Sequence, residues 1–466
     1  MLVAGIDSST QSTKVVVVDV ATGDIVREGK APHPDGSEVH PDHWWQALNI
    51  AMDDAGGIAD CGAVSIAGQQ HGMVCLDDAG EVIRPALLWN DVRSAQAARD
   101  LIAEKSVQWW VDTSGSAPVA SLTVTKLRWL ADNEPENAAK IAAVCLPHDW
   151  LMWKLSGSTD IRDLVTDRSD ASGTGYVDVV SGEYRRDILA LALRISEEEA
   201  AKIVLPRIAD TYEKVGTVAG TEIAIGPGCG DNAGAALALN LDAGKATLSI
   251  GTSGVVAAIS PEPVKDMTGA VNGFMSADGN WLPLACTLNA SLIQDYMRNL
   301  LDVSYDELDE LAIAGEVGSG GMTMIPFFVG ERTPNLPDAS ASIHNMRPEA
   351  MTRENLARLA YEGLACSLTG AMDLVRSTGA RIDSLLLVGG GAKSAALRDI
   401  LPAVLGVPIE VPRVGEYVAL GAALQAARVL NPEQPAWPID IVDRLEVTRR
   451  DTEVYERYKA VLAERS

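Results

Sequence analysis

Phenylalanine is nearly missing from this chain, with 3 among 466 residues, and histidine is scarce at 6. Tryptophan is the exception among aromatics, at 10. Trp44, Trp45, Trp129 and Trp153 fall within helical periodicity, which assigns them to core or interface packing rather than to stacking platforms. The six cysteines (Cys61, Cys75, Cys145, Cys229, Cys286, Cys366) are scattered without a C-x-x-C pair. That pattern excludes a disulfide framework or a zinc site and points to reduced core residues. Positive charge is also short: 38 Lys and Arg against 64 Asp and Glu leave a net charge of −26. A general nucleic-acid or anionic-membrane surface is therefore excluded, and a bound polyphosphate must be neutralised locally, by a divalent metal, backbone amides and nearby cations such as Lys14. No apolar run reaches spanning length, and Met1-Leu2-Val3-Ala4-Gly5-Ile6-Asp7 enters a strand pattern with no basic leader or cleavage site. A cytoplasmic protein is expected.

Three nucleotide-binding signatures are absent as well. There is no G-x-x-x-x-G-K-[ST] loop and no protein-kinase glycine loop with its V-A-I-K and H-R-D partners. The segment Gly228-Cys229-Gly230-Asp231-Asn232-Ala233-Gly234 resembles a loosened dinucleotide fingerprint. The acidic ribose partner expected about 20 residues further on falls instead on apolar and small residues near Leu248 to Gly251. P-loop, protein-kinase and Rossmann readings all fail.

What is present begins with size: 466 residues at 47% hydrophobic and 22% charged fit a globular protein of two or three domains. Two stretches echo each other, Gly5-Ile6-Asp7-Ser8-Ser9-Thr10-Gln11-Ser12-Thr13 and Ser249-Ile250-Gly251-Thr252-Ser253-Gly254, each set between apolar runs. Each predicts a hairpin whose small residues let backbone amides converge on a phosphate. The first segment continues as a β-meander, then a helix opening at Pro41 and a buried strand Ala63 to Ala67. Residues 93 to 155 read as several helices, and 160 to 185 as irregular. The second half repeats the style, with a helix from Asn355 to Ser377, a strand Leu385 to Val388, the run Gly389-Gly390-Gly391 and a helix from Ser394 to Leu405. Two duplicated α/β halves with a central cleft are expected, divided as 1–235 and 236–466.

Several residues can carry chemistry. Asp231 follows a glycine-rich turn and opens a helix, whose N-terminus favours an ionised carboxylate able to accept a hydroxyl proton; a plain helix cap is the competing role. Asp7 stands at a strand end beside the first phosphate turn, placed to hold Mg²⁺ or to bond turn amides. His71, in Gly68-Gln69-Gln70-His71-Gly72, suits a loop that grips a small polyol. Gly389-Gly390-Gly391 offers bare backbone to a flat ring, and Glu331-Arg332-Thr333-Pro334 either places a cation near phosphate or forms an ion pair.

Together these segments resemble the FGGY carbohydrate kinases of the actin-like ATPase superfamily. Ser121 to Asn133 meets one family signature, and Leu87-Leu88-Trp89-Asn90-Asp91, Leu146-Pro147-His148-Asp149, Gly228 to Asn232, Leu248 to Gly254, Gly330 to Pro334 and Val388 to Ala392 are similar to the branch acting on D-xylulose. The resemblance implies two ribonuclease-H-like domains and ATP-dependent, Mg²⁺-assisted phosphorylation of D-xylulose to D-xylulose 5-phosphate. Another ketose or polyol substrate, or a non-kinase actin-like ATPase, are the rival readings. By resemblance, Asp231 is the catalytic base, assisted by Asp7, and both are metal ligands; Gln70, His71, Asp231 and Asn232 bind sugar. Thr10 and Thr13 belong to the first phosphate loop, Gly251 and Thr252 to the second, and Gly390 with Gly391 to the adenosine site. The sugar and ATP are the partners, with a homodimer open. The chain departs from the family pattern at Gln70, where Met is frequent, at Asn345 and Leu359 in a second signature, and at Ser8-Ser9-Thr10.

Overall fold

The computed structural model describes Met1–Glu464. The chain forms two compact α/β units. The first takes in Met1–Asn240, Gly273–Leu282 and Gly415–Ile439; the second takes in Leu241–Asn272, Pro283–Val414 and the C-terminal stretch from Asp440. The chain thus returns to the first unit near its end, through the helix Tyr417–Leu430. The six cysteines are free and buried, as expected.

In the first unit the strand Leu2–Ser8 pairs antiparallel with Ser12–Asp19 and, on its other side, parallel with Cys61–Gly68. The meander continues through Ile25–Pro32. Valines 15 to 18 are all buried, which requires cover on both faces of the sheet. Val15 and Val17 pack with Trp44 and Leu48 of the helix Pro41–Asp54. Val16 and Val18 pack with Ala419, Ala423 and Ala426 of the helix Tyr417–Leu430. Small residues are required on that face because the backbones nearly touch. A Cβ at Gly5 would stand 2.0 Å from the Ala419 carbonyl oxygen, and one at Gly421 would stand 1.8 Å from that of Gly234.

The second unit repeats this core. Gly244–Ile250 pairs antiparallel with Gly254–Ala258 and parallel with Ile382–Val388, which pairs parallel with Ile409–Pro412. The helix Arg353–Ser377 buries most of its length, including the ion pair Arg358–Glu362 at 2.7 Å. Both hairpins expected from sequence are present, with turns at Ser9–Gln11 and Gly251–Ser253.

The region expected to be irregular, 160 to 185, holds more order than its composition suggests. Asp167 accepts from the backbone N–H groups of Ser169 and Asp170 and so caps a short helix, Arg168–Ser172. The glycine run 226 to 230 is packed. Cys229–Gly230 pairs parallel with Ala67 and Gly68, and Gly228 adopts φ +77° beneath close neighbours. No helix among the described residues is long and apolar enough to cross a membrane.

Candidate active site

Parallel pairing brings three strand ends of the first unit together. Ser8 lies opposite Gly68, and Gly230 lies opposite Gly68 on the other side. The segments that leave these ends are Ser9-Thr10, Gln69-Gln70-His71 and Asp231-Asn232, so the expected sugar and acid-base residues converge at the carboxyl edge of one sheet.

Asp231 is the first residue of the helix Asp231–Ala238, and Gly230 is the cap residue. The cap role therefore does not fall on Asp231. Its Oδ1 accepts from the backbone N–H of Asn232 at 2.7 Å and from Asn232 Nδ2 at 2.8 Å. Both of these bonds fall on the same carboxylate oxygen. Burial pushes the Asp231 carboxyl up to about 6, against the Asn232 donors and with the Asp7 charge adding to the rise. Such a group is ionised at neutral pH yet accepts a proton more readily than an ordinary carboxylate.

Asp7 is buried beside this helix opening. Burial raises it to about 6, opposed by a hydrogen bond from the Ser9 hydroxyl and by the nearby Lys14. Lys14 Nζ in turn lies 2.5 Å from Glu416 Oε2. Two carboxylates with raised pKa values, Asp7 buried and Asp231 half-buried, form a donor pair suited to a divalent cation. Among the described residues no cluster of three or more metal-ligating side chains occurs.

Gln70 is buried, and its Oε1 accepts from Asn232 Nδ2 at 3.3 Å. Where Met is frequent, this chain therefore ties the two segments by a hydrogen bond between side-chain amides. His71 adopts φ +69°, strained for a residue with a Cβ. Its Nδ1 donates to the Gly173 carbonyl at 2.7 Å, which leaves Nε2 as the acceptor nitrogen in the neutral ring.

Thr10 stands at the first turn, where its hydroxyl accepts from Trp89 Nε1 at 2.8 Å. Trp89 is 40% exposed, and sequence reasoning gave it no role. Its signal was an indole at the end of a buried apolar run. Thr13 requires a correction: it is fully buried, and its hydroxyl is engaged by His33 Nε2 at 2.8 Å. The pleat turns Thr13 inward, so its side chain braces the turn rather than facing a phosphate.

In the second unit Gly251 and Thr252 are exposed at the turn, and Gly389–Gly391 follows the neighbouring parallel strand. Gly389, at φ +86°, could not hold a Cβ, which would lie 2.6 Å from the Ile250 carbonyl oxygen; a Cβ at Gly391 would lie 2.4 Å from Ile250 Cγ2. Gly390 has open space. Glu331 is buried and occupied by the backbone N–H of Leu288 at 2.6 Å and by Asn289 Nδ2 at 3.0 Å. The Arg332 backbone N–H donates to Glu331 Oε1 at 2.8 Å, and the Arg332 side chain lies beside the Cys286 thiol. Of the other departures, Asn345 takes a left-handed turn conformation (φ +57°) and Leu359 is buried in the second unit's core.

Comparison with known proteins gives a consistent picture. Residues 2–232 match the N-terminal domain of the FGGY family of carbohydrate kinases, and residues 246–430 match the C-terminal domain. A xylulose kinase of Streptomyces rubiginosus is 44% identical over 99% of this chain and 96% of its own length. A xylulose kinase of Escherichia coli is 31% identical over 98% of this chain and 95% of its own. Among solved structures, a xylulose kinase from Bifidobacterium adolescentis superposes with a TM-score of 0.94 at 46% identity, covering 99% of both chains.

Proposed function

The chain belongs to the FGGY family of carbohydrate kinases, and from that premise we propose that it phosphorylates D-xylulose at its terminal hydroxyl, with Asp231 as general base. It is a phosphotransferase, and ATP is its second substrate. The observation that carries the assignment of the base is the Asp231 carboxylate at a helix opening, with one oxygen held by Asn232 and its pKa raised to about 6 by burial.

The reaction follows from that geometry. Asp231 Oδ2 takes the proton of the sugar hydroxyl as its oxygen forms a bond to the γ-phosphorus. The bond from γ-phosphorus to the bridging oxygen breaks, and ADP leaves with the electron pair. Asn232 fixes the carboxylate, while Gln70 and His71 supply hydrogen bonds that orient the sugar. Thr10 serves the phosphates from the first hairpin and the Gly251 backbone with the Thr252 hydroxyl from the second, with adenosine against Gly390 and Gly391. On this reading residues 1–235 carry the sugar and the base, and 236–466 carry most of the nucleotide. The carboxylates of Asp7 and Asp231 fit Mg²⁺, which when bound supplies charge neutralisation for the phosphates.

The test is ADP release with a panel of D-xylulose, D-ribulose, L-xylulose and glycerol. D-Xylulose should lead by kcat/KM, and Asp231→Asn should lose about 10²- to 10⁴-fold in kcat while still binding ATP. Equal turnover of several sugars would remove the substrate assignment, and full activity of the variant would remove the base.

A further inference from the structure

Beneath the Asp231 turn lies a buried ionic cluster that the mechanism does not use. His148, in the first turn of the helix Pro147–Ser156, has no exposure to solvent. Its Nδ1 is 2.7 Å from Asp170 Oδ2, and its Nε2 is 3.3 Å from Asp149 Oδ1 and 3.7 Å from Asp167 Oδ1. All three carboxylates are buried. The ring packs directly against the turn that delivers Asp231: a Cβ on Gly228 would lie 2.3 Å from His148 Cδ2, and one on Gly68 would lie 2.9 Å from His148 Cβ. The cage is also tied to that turn by a hydrogen-bond chain. The Gly230 backbone N–H donates to Ser169 Oγ at 3.1 Å, and that hydroxyl donates to Asp167 Oδ2 at 2.5 Å.

Buried carboxylates this close together are stabilised by a cation or by taking up a proton, and burial raises Asp149 to about 7 and Asp170 to about 6, with His148 opposing both. The groups packed around the ring are Asp149 on its own helix, Asp170 on the helix Arg168–Ser172 and Asp167 at its cap, and Gly68 and Gly228, which bring no charge. Cys229 beside them is neutral, its thiol pushed well above the usual range by burial and by Asp167 and Asp170. Burial works against a charge on His148, but Asp149, Asp170 and Asp167 overcome it and raise the ring to about 9. The cluster reaches the base electrostatically, since Asp231 is among the charges that act on Asp170.

We propose that His148 is a positioning residue held as an imidazolium, whose cage of Asp149, Asp167 and Asp170 anchors the Gly228–Asp231 turn and thereby aims the Asp231 carboxylate. The proposal rests on Asp231 being the base. His148 itself touches no substrate. Asn at this position retains a donor where Nδ1 stands but carries no charge.

His148→Asn should lower kcat about 10²-fold, as a displacement of the order of 1 Å does, with KM for sugar and ATP within about three-fold of the parent. Amide hydrogen exchange across 228–232 should accelerate in the same variant without substrate. The double variant His148→Asn with Asp170→Asn, which removes one charge of each sign, should regain roughly five-fold of the lost rate. In the parent protein, ¹⁵N NMR should show both ring nitrogens protonated at pH 7. A neutral ring at pH 7, or a kcat within about three-fold of the parent with unchanged exchange at 228–232, overturns the proposal. If His148→Asn does not fold, the double variant and the parent's NMR spectrum decide. If the parent phosphorylates no sugar in the panel, the functional reading fails, while the ring's charge and the exchange at 228–232 still judge His148.

Discussion

The two hairpins share one topology and differ in what is built around them. In each unit a central strand has an antiparallel partner on one side and a parallel partner on the other. Around the first lie the buried ionisable groups Asp7, His148, Asp149, Asp167 and Asp170 and the half-buried Asp231, several with raised pKa values. Around the second the exposed turn Gly251-Thr252 and the run Gly389–Gly391 present backbone and a hydroxyl. The frame occurs twice, and the ionisable cluster stands on one copy. A proton acceptor needs a low-dielectric setting to shift its pKa, whereas a phosphate or a flat ring needs amides and bare backbone.

The sharpest way to break this contrast is to remove one residue from each side. Asp231→Asn should show the large kcat loss given above. Thr252→Val should instead raise KM for ATP about ten-fold with kcat nearly unchanged, the expected loss of one hydrogen bond to a charged group. Comparable kcat losses in steady-state assays of both would erase the distinction.

A second contrast concerns glycine. At Gly5 an added Cβ meets backbone of the helix Tyr417–Leu430 at 2.0 and 2.5 Å, which flexible side chains cannot relieve. Gly5→Ala should therefore destabilise the first unit by about 3 kcal/mol in denaturant unfolding. Gly251→Ala, whose nearest neighbour would be 3.8 Å away, should change stability by less than about 0.5 kcal/mol. Within the second unit the same logic separates adjacent residues. Gly389→Ala should cost about 1–3 kcal/mol through its positive φ and its contact with Ile250, and should weaken ADP binding by calorimetry. Gly390→Ala, in open space, should leave stability unchanged. Equal losses at the paired positions would mean that the backbone relaxes and the clearances do not govern.

A pH-dependent effect concerns Lys126, fully buried in the helix Thr123–Asn133, with Nζ donating to the carbonyls of Ser121 and Ala120. Burial lowers it from 10.5 to about 7, with Asp91 opposing. Between those values the unfolded chain binds a proton that the folded chain does not, so this residue makes stability rise with pH across that window. Lys126→Met should remove the rise, so that its Tm relative to the parent falls steadily from pH 7 to pH 10. A pH-independent difference between the two would show that Lys126 keeps its proton in the folded state.

Much of the frame was legible along the chain. The valine run, the small-residue turns and the glycine run before the helix Ala395–Leu405 are local patterns, and strand or turn preference depends on near neighbours. Asp231 could be singled out because a glycine turn before an apolar run announces a helix opening. The inward turn of Thr13 was not legible, since a hairpin's register is set by pairing across the sheet. Neither was Trp89 on Thr10, which joins residues 79 positions apart.

By itself, then, the sequence determined two hairpins on a repeated α/β frame, a family, and an acidic residue at a helix opening. Each is written in contiguous residues or in spacing. Only the tertiary structure decided that the helix Tyr417–Leu430 closes the first unit's sheet, that Gln70 holds Asn232, and that one imidazole and three aspartates stand behind the Asp231 turn. Those encounters join residues distant in the chain, and strand order, register and the clearance left by glycine determine which of them occur.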